Sequence, residues 1–194
     1  MANSSGDSLQ RALRISSAWI LLIFLVMLVS RLSPIPFESF GVRPRTLTGL
    51  PGVLLMPLLH ANFPHILANA LPLFILLTLL FWDRRYRPWT TLPLIWLASG
   101  LGTWLIGRGG QWRGEIVVHI GASGVVFGLV AYLIVAGVLI QSWRSAFIGI
   151  LVFLFFGGMF LGMIPQAGPV SWEGHLSGAV AGVWAARKCH SRPL

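Results

Sequence analysis

Acidic residues are scarce: five Asp and Glu stand against 14 Lys and Arg in 194 residues, and only 10% of positions are charged. Soluble domains carry about 25% charged residues. Here 56% of the chain is hydrophobic and the mean hydropathy is +0.80. These values argue against a soluble globular domain and for a polytopic membrane protein. The only aspartates, Asp7 and Asp83, fall in a tail and between apolar runs, so the two membrane-embedded aspartates of an aspartyl-type hydrolase are missing. Cysteine is limited to Cys189, which excludes a disulfide framework or a CxxC site within one chain and is expected to have no role. A membrane zinc hydrolase needs a motif such as H-E-x-x-H. His60 and His65 are five apart with no glutamate between them. No metal or cofactor is expected.

The net charge of +9 would suggest nucleic acid in a soluble chain. Here the basic residues sit between apolar runs, where they set topology and meet lipid headgroups. Nothing resembles a nucleic-acid-binding motif, and none is expected as a partner. A spanning helix needs about 20 mostly apolar residues, and six candidate runs occur, at about 17–32, 64–82, 88–107, 121–140, 143–164 and 171–187. The first lacks an A-x-A cleavage pattern and reads as a retained helix. With the N-terminus inside, the inner segments carry nine Lys and Arg and the outer segments five, so both termini are expected in the cytoplasm of a multi-pass cell-membrane protein. The implied layout is a tail at 1–16, one membrane domain at 17–187 and a second tail at 188–194. Between the first two runs lie Pro34, Pro36, Pro44 and Pro51, mixed with Phe and Leu. This stretch is too apolar for a free loop and too broken for a span, and reads as short interfacial helices.

Three polar groups interrupt the apolar runs. Ser123 lies in Gly121-Ala122-Ser123-Gly124 at the head of the fourth run. Gly121 suits a turn closed to other residues, and Gly124 with Gly128 allows close helix approach. First-turn backbone N–H groups beside Ser123 favour negative charge. In the sixth run Gly174, Gly178 and Gly182 form a flat stripe, with His175 at its border, about 60° from Gly178. Packing that stripe on the glycine face of the fourth run brings His175 toward Ser123. In the second run His65 and Asn69 share one face, Pro64 suits a first turn, and His60 precedes the helix. Asn69 wants a partner in so apolar a run: either it glues two helices or it donates to an oxyanion. The assumed orientation puts all these groups toward the outer side.

The set His60-x4-His65-x3-Asn69, Gly121-x-Ser123-Gly124 and His175-x2-Gly178-x3-Gly182 resembles the rhomboid family of intramembrane serine proteases, in order, helix placement and spacing, over residues 17–187. The resemblance implies an all-α bundle of six transmembrane helices around a polar, water-filled cavity. It implies a Ser-His dyad with Ser123 as nucleophile and His175 as general base. Asn69, His65 and the Ser123 backbone N–H match the family's oxyanion stabilisers, and His60 matches its outer, supporting histidine. Implied substrates are transmembrane segments of other proteins, cut near their outer ends. Phe127 stands where the family often has a tyrosine, which keeps a ring to stack on the histidine. The Trp-Arg pair that some members carry in the first loop is missing; Arg43 and Arg45 lie in a different context.

Other readings remain beside this one. A rhomboid-like module that binds membrane proteins without cutting them typically lacks the serine or the histidine, and both are present here. A transporter would need charge at the midplane and usually internal repeats, and neither is found. Glu173, two residues from His175, does not share its face. Gly157-Gly158 among Phe153, Phe155, Phe156 and Phe160 reads either as a lateral gate or as lipid-facing aromatic content. Oligomeric state is left open.

Overall fold

Proline and short polar side chains punctuate the apolar runs, and the helices start where they stand. The computed structural model describes residues 4–166, 168 and 170–190. The helices are α1 (Ser4–Leu32), α2 (Gly52–Leu55), α3 (Phe63–Trp82), α4 (Pro88–Ile106), α5 (Ser123–Leu139), α6 (Trp143–Phe156) and α7 (Trp172–His190). Asn62 caps α3, its Oδ1 accepting from the His65 N–H at 2.9 Å, with Pro64 in the first turn. Asp83 stops α3 and caps the 3-10 turn Arg84–Tyr86; α4 then opens at Pro88. Gly121, at φ +112°, makes the turn into α5.

Some boundaries differ from the sequence reading. α1 begins at Ser4, well inside the stretch read as a tail, and α7 continues to His190. Residues 1–3 and 191–194, read as parts of the two tails, lie outside the described residues. The run at 143–164 is not one helix: α6 ends at Phe156 and a 3-10 helix covers Gly157–Met163. The break falls at the paired glycines, which weaken a helix. A small hairpin, Gln111–Trp112 with Glu115–Ile116, adds two short strands, its turn made by Arg113 and Gly114 at positive φ.

Four helical stretches among the described residues are long and apolar enough to cross a membrane: Ser8–Leu32, Phe63–Trp82, Arg84–Ile106 and Trp143–Met163. α5 is apolar but has 17 residues, and α7, which carries Glu173, His175, Arg187 and Lys188, is not among them. α5 is the hub. It is buried on nearly every side from Gly124 to Leu133 and packs against α3, α4, α6 and α7, whereas α1 packs mainly on α3. A helix that is apolar all round belongs in such a core.

The α5–α7 seam is backbone on backbone. A Cβ at Gly178 would collide with the Gly124 carbonyl, and one at Gly182 with the Gly128 carbonyl. The glycine stripes thus do what small residues do between membrane helices. The stretch between α1 and α3 forms 3-10 turns at Phe37–Phe40, Leu47–Gly49 and Met56–Leu58 around the short α2. It is tied down by polar contacts: Val42 pairs with His119 backbone to backbone, Arg45 donates to the Leu105 and Gly107 carbonyls at 2.9 Å, and Trp104 Nε1 donates to Thr46 O at 2.9 Å.

Candidate active site

The N-terminal ends of α3, α5 and α7 converge at one end of the bundle, so one glycine seam and one glycine turn decide which side chains meet. Ser123 Oγ lies 3.0 Å from His175 Nε2. His175 Nδ1 lies 2.9 Å from the Gly162 carbonyl. A carbonyl only accepts, so Nδ1 carries the proton and Nε2 is left to accept from the serine hydroxyl. Phe127 stacks on the imidazole, with ring centroids 4.1 Å apart and planes 7° from parallel. The ring is held on an edge by Gly162 and on a face by Phe127. A Cβ at Gly162 would sit 3.2 Å from Phe127 Cζ and 3.3 Å from His175 Nδ1, so there is little room for one.

The turn before Ser123 is fixed from below. Gly121 N–H donates to Met56 O at 2.9 Å, and Ala122 N–H donates to His60 Nε2 at 3.4 Å. His60 is buried, and burial with the neighbouring His65 pushes its pKa down to about 4, the Leu58 carbonyl opposing in part. It stays neutral and accepting. A Cβ at Gly121 would fall 2.6 Å from His65 Nε2 and 3.8 Å from Asn69 Nδ2, so both groups crowd the turn that leads into Ser123. Asn69 spends one Nδ2 hydrogen on the His65 carbonyl at 2.9 Å, leaving the other. No side chain caps the first turn of α5. Gly124 faces the Gly174 backbone, where its missing Cβ lets α7 approach. All eight residues singled out in the sequence, His60, His65, Asn69, Gly121, Ser123, Gly124, Phe127 and His175, therefore belong to one cluster.

A second polar network braces this cluster, and sequence reasoning missed most of it. Arg108 Nε lies 2.6 Å from Glu173 Oε1, and the same oxygen accepts from the Arg108 backbone N–H at 3.2 Å. Glu173 is 1% exposed. The Arg108 guanidinium also donates to the carbonyls of Gln166 and Val170, at 3.2 and 2.6 Å, holding the strand of chain that enters α7. His119 Nε2 donates to the Arg108 carbonyl at 2.9 Å, which leaves Nδ1 to accept from Ser171 Oγ at 2.5 Å; Ser171 Oγ in turn accepts from the Gly174 N–H at 3.2 Å. Burial holds the His119 pKa below its ordinary value, partly offset by the Arg108 carbonyl and the charge of Glu173. Two signals were available. Ser171 precedes a helix by the right interval for a cap, and a glutamate inside an apolar run must find a partner. Among the described residues no three His, Cys, Asp or Glu are disposed to hold a metal ion.

Comparison with known proteins gives the family. Residues 48–192 match the model of the rhomboid domain. An uncharacterized protein of Mycobacterium tuberculosis is 45% identical over 172 residues, 87% of this chain and 71% of the relative. One from Mycobacterium leprae is 38% identical over 169 residues, 85% and 66% of the two chains. A putative rhomboid protein of Acanthamoeba polyphaga mimivirus is 27% identical over 164 residues, 83% and 84%. Matched by that domain model from the first interhelical stretch to the end of α7, the chain belongs to the rhomboid family.

Proposed function

We propose that this protein is an intramembrane serine endopeptidase that cuts transmembrane segments of other proteins near their outer ends. The observation that carries the reading is the Ser123 Oγ to His175 Nε2 contact of 3.0 Å, with Nδ1 committed to the Gly162 carbonyl. Ser123 attacks the scissile carbonyl while His175 Nε2 takes its proton. The imidazolium so formed is stabilised through Nδ1–H by the Gly162 carbonyl, a backbone group in the place a carboxylate holds in a triad. The tetrahedral oxyanion is met by the Ser123 backbone N–H, the spare Asn69 Nδ2 hydrogen and His65. Collapse breaks the C–N bond as His175 protonates the departing amine, leaving an ester on Ser123. Water, deprotonated by His175, then hydrolyses the ester to a carboxylic acid and restores the serine.

In this reading α1, α3, α4, α5, α6 with its 3-10 extension, and α7 all cross the bilayer, and both termini are cytoplasmic, as the Lys and Arg asymmetry favours. α5 is about 25 Å long by its 17 residues, shorter than a hydrocarbon core of about 30 Å. With its far end level with its neighbours, Ser123 begins below the outer surface. The test is cleavage of a panel of single-pass proteins in lipid vesicles by wild type and Ser123→Ala, with product ends mapped. Products with new ends in the outer part of the segment, lost on Ser123→Ala, are expected; cleavage unchanged in that variant refutes the assignment.

A further inference from the structure

The end of the bundle remote from Ser123 holds a pocket of about 370 Å³, formed where α1, the end of α3 and the start of α4 meet. Arg11, Arg84 and Arg87 converge on it, with Phe81 and Trp89 as apolar wall. All three arginines are exposed, and none forms an ion pair among the described residues. The carboxylate beside Arg84 is already engaged. Asp83 is bound by Arg85 through Nε and Nη2 and also caps the turn Arg84–Tyr86. Three guanidinium groups around a cavity, with the acid beside Arg84 taken, favour an anion as the complementary occupant. Guanidinium forks fit the tetrahedral oxygens of phosphate in particular.

The depth of the pocket narrows the source. Trp89 is 73% exposed and Trp143, at the same end, 83% exposed. Rings so placed mark the headgroup level of a bilayer. The apolar wall of Trp89 and Phe81 continues beside the arginines, as an acyl chain attached to a phosphate would require. We infer that the Arg11–Arg84–Arg87 pocket binds a phosphate group, supplied at this depth by the headgroup of an anionic phospholipid. The inference does not depend on the peptidase reading, since the pocket and Ser123 lie at opposite ends.

Native mass spectrometry of the full chain released from detergent tests it, with phosphatidylglycerol, phosphatidylcholine or inorganic phosphate added. Wild type is expected to retain phosphatidylglycerol in preference to phosphatidylcholine. Affinity should fall about fivefold for each arginine removed in Arg84→Gln and Arg87→Gln. Arg144→Gln is the matched control: it removes the same charge at the same end, but its guanidinium lies over Trp82, 4.7 Å from the ring centre, outside the pocket. It should leave binding unchanged. Melting in neutral detergent should be unaltered in all three variants, separating lost binding from lost folding. An equal loss in Arg144→Gln overturns the site in favour of diffuse surface charge. Displacement of the lipid by inorganic phosphate at equal concentration overturns the lipid source and assigns a free phosphate.

Discussion

The two ends of the bundle treat polar groups in opposite ways. At the Ser123 end, His119, Ser171, Glu173, His175 and Arg108 are buried or half-buried, and each is held by named protein atoms. At the other end Arg11, Arg84 and Arg87 are exposed, and Lys188 and Arg144 lie over tryptophan rings. The first arrangement holds polar atoms in place inside the protein; the second leaves charge at the surface. The difference predicts that matched substitutions have unmatched effects.

The largest contrast is in catalysis. His175→Ala should lower cleavage of a transmembrane substrate by about 10⁴-fold, while His190→Ala, at the far end, leaves the turnover rate unaltered. Next is the ion pair. Glu173→Gln weakens the charge-assisted contact with the partly exposed Arg108 and should cost about 1–3 kcal/mol in detergent unfolding. Asp83→Asn, which breaks the exposed pair with Arg85, should cost no more than about 1 kcal/mol. A smaller difference separates two glycines. Gly178→Ala drives a Cβ into the Gly124 carbonyl and should destabilise by about 1–3 kcal/mol. Gly158→Ala meets nothing within 4 Å and should not lower the melting temperature.

Most of the site was legible because its signals are local and periodic. The glycines at 174, 178 and 182 repeat at helical spacing, and Pro64 and Pro88 mark helix starts, so the seam and the serine and histidine beside it could be read together. The bracing network was not legible. Arg108, His119 and Ser171 sit in connections between helices, where no period links them, and their partners are often backbone carbonyls. The Gly162 carbonyl has no side-chain signature at all. The early start of α1 was missed because its first turns are polar, and the break at Gly157 was read as part of one apolar run.

The contrast extends to pH dependence. His60 has a folded pKa of about 4 against 6.5 for the free group. Between those values the unfolded chain binds more protons, so stability should fall as pH drops from 6.5 toward 4. Thermal melts in detergent should show a loss of about 10 °C across that window, and His60→Gln should reduce it. Protonation removes the lone pair that Nε2 offers to the Ala122 N–H, loosening the turn into Ser123.

Reaction with a fluorophosphonate probe, followed by mass mapping of the modified peptide, tests the Ser123–His175 pair most directly. Wild type should carry the phosphonyl group on Ser123 alone, and His175→Ala should label far more slowly though it stays folded. Labelling of another residue, or of Ser123 at an undiminished rate in His175→Ala, contradicts the pairing of these two side chains as nucleophile and base.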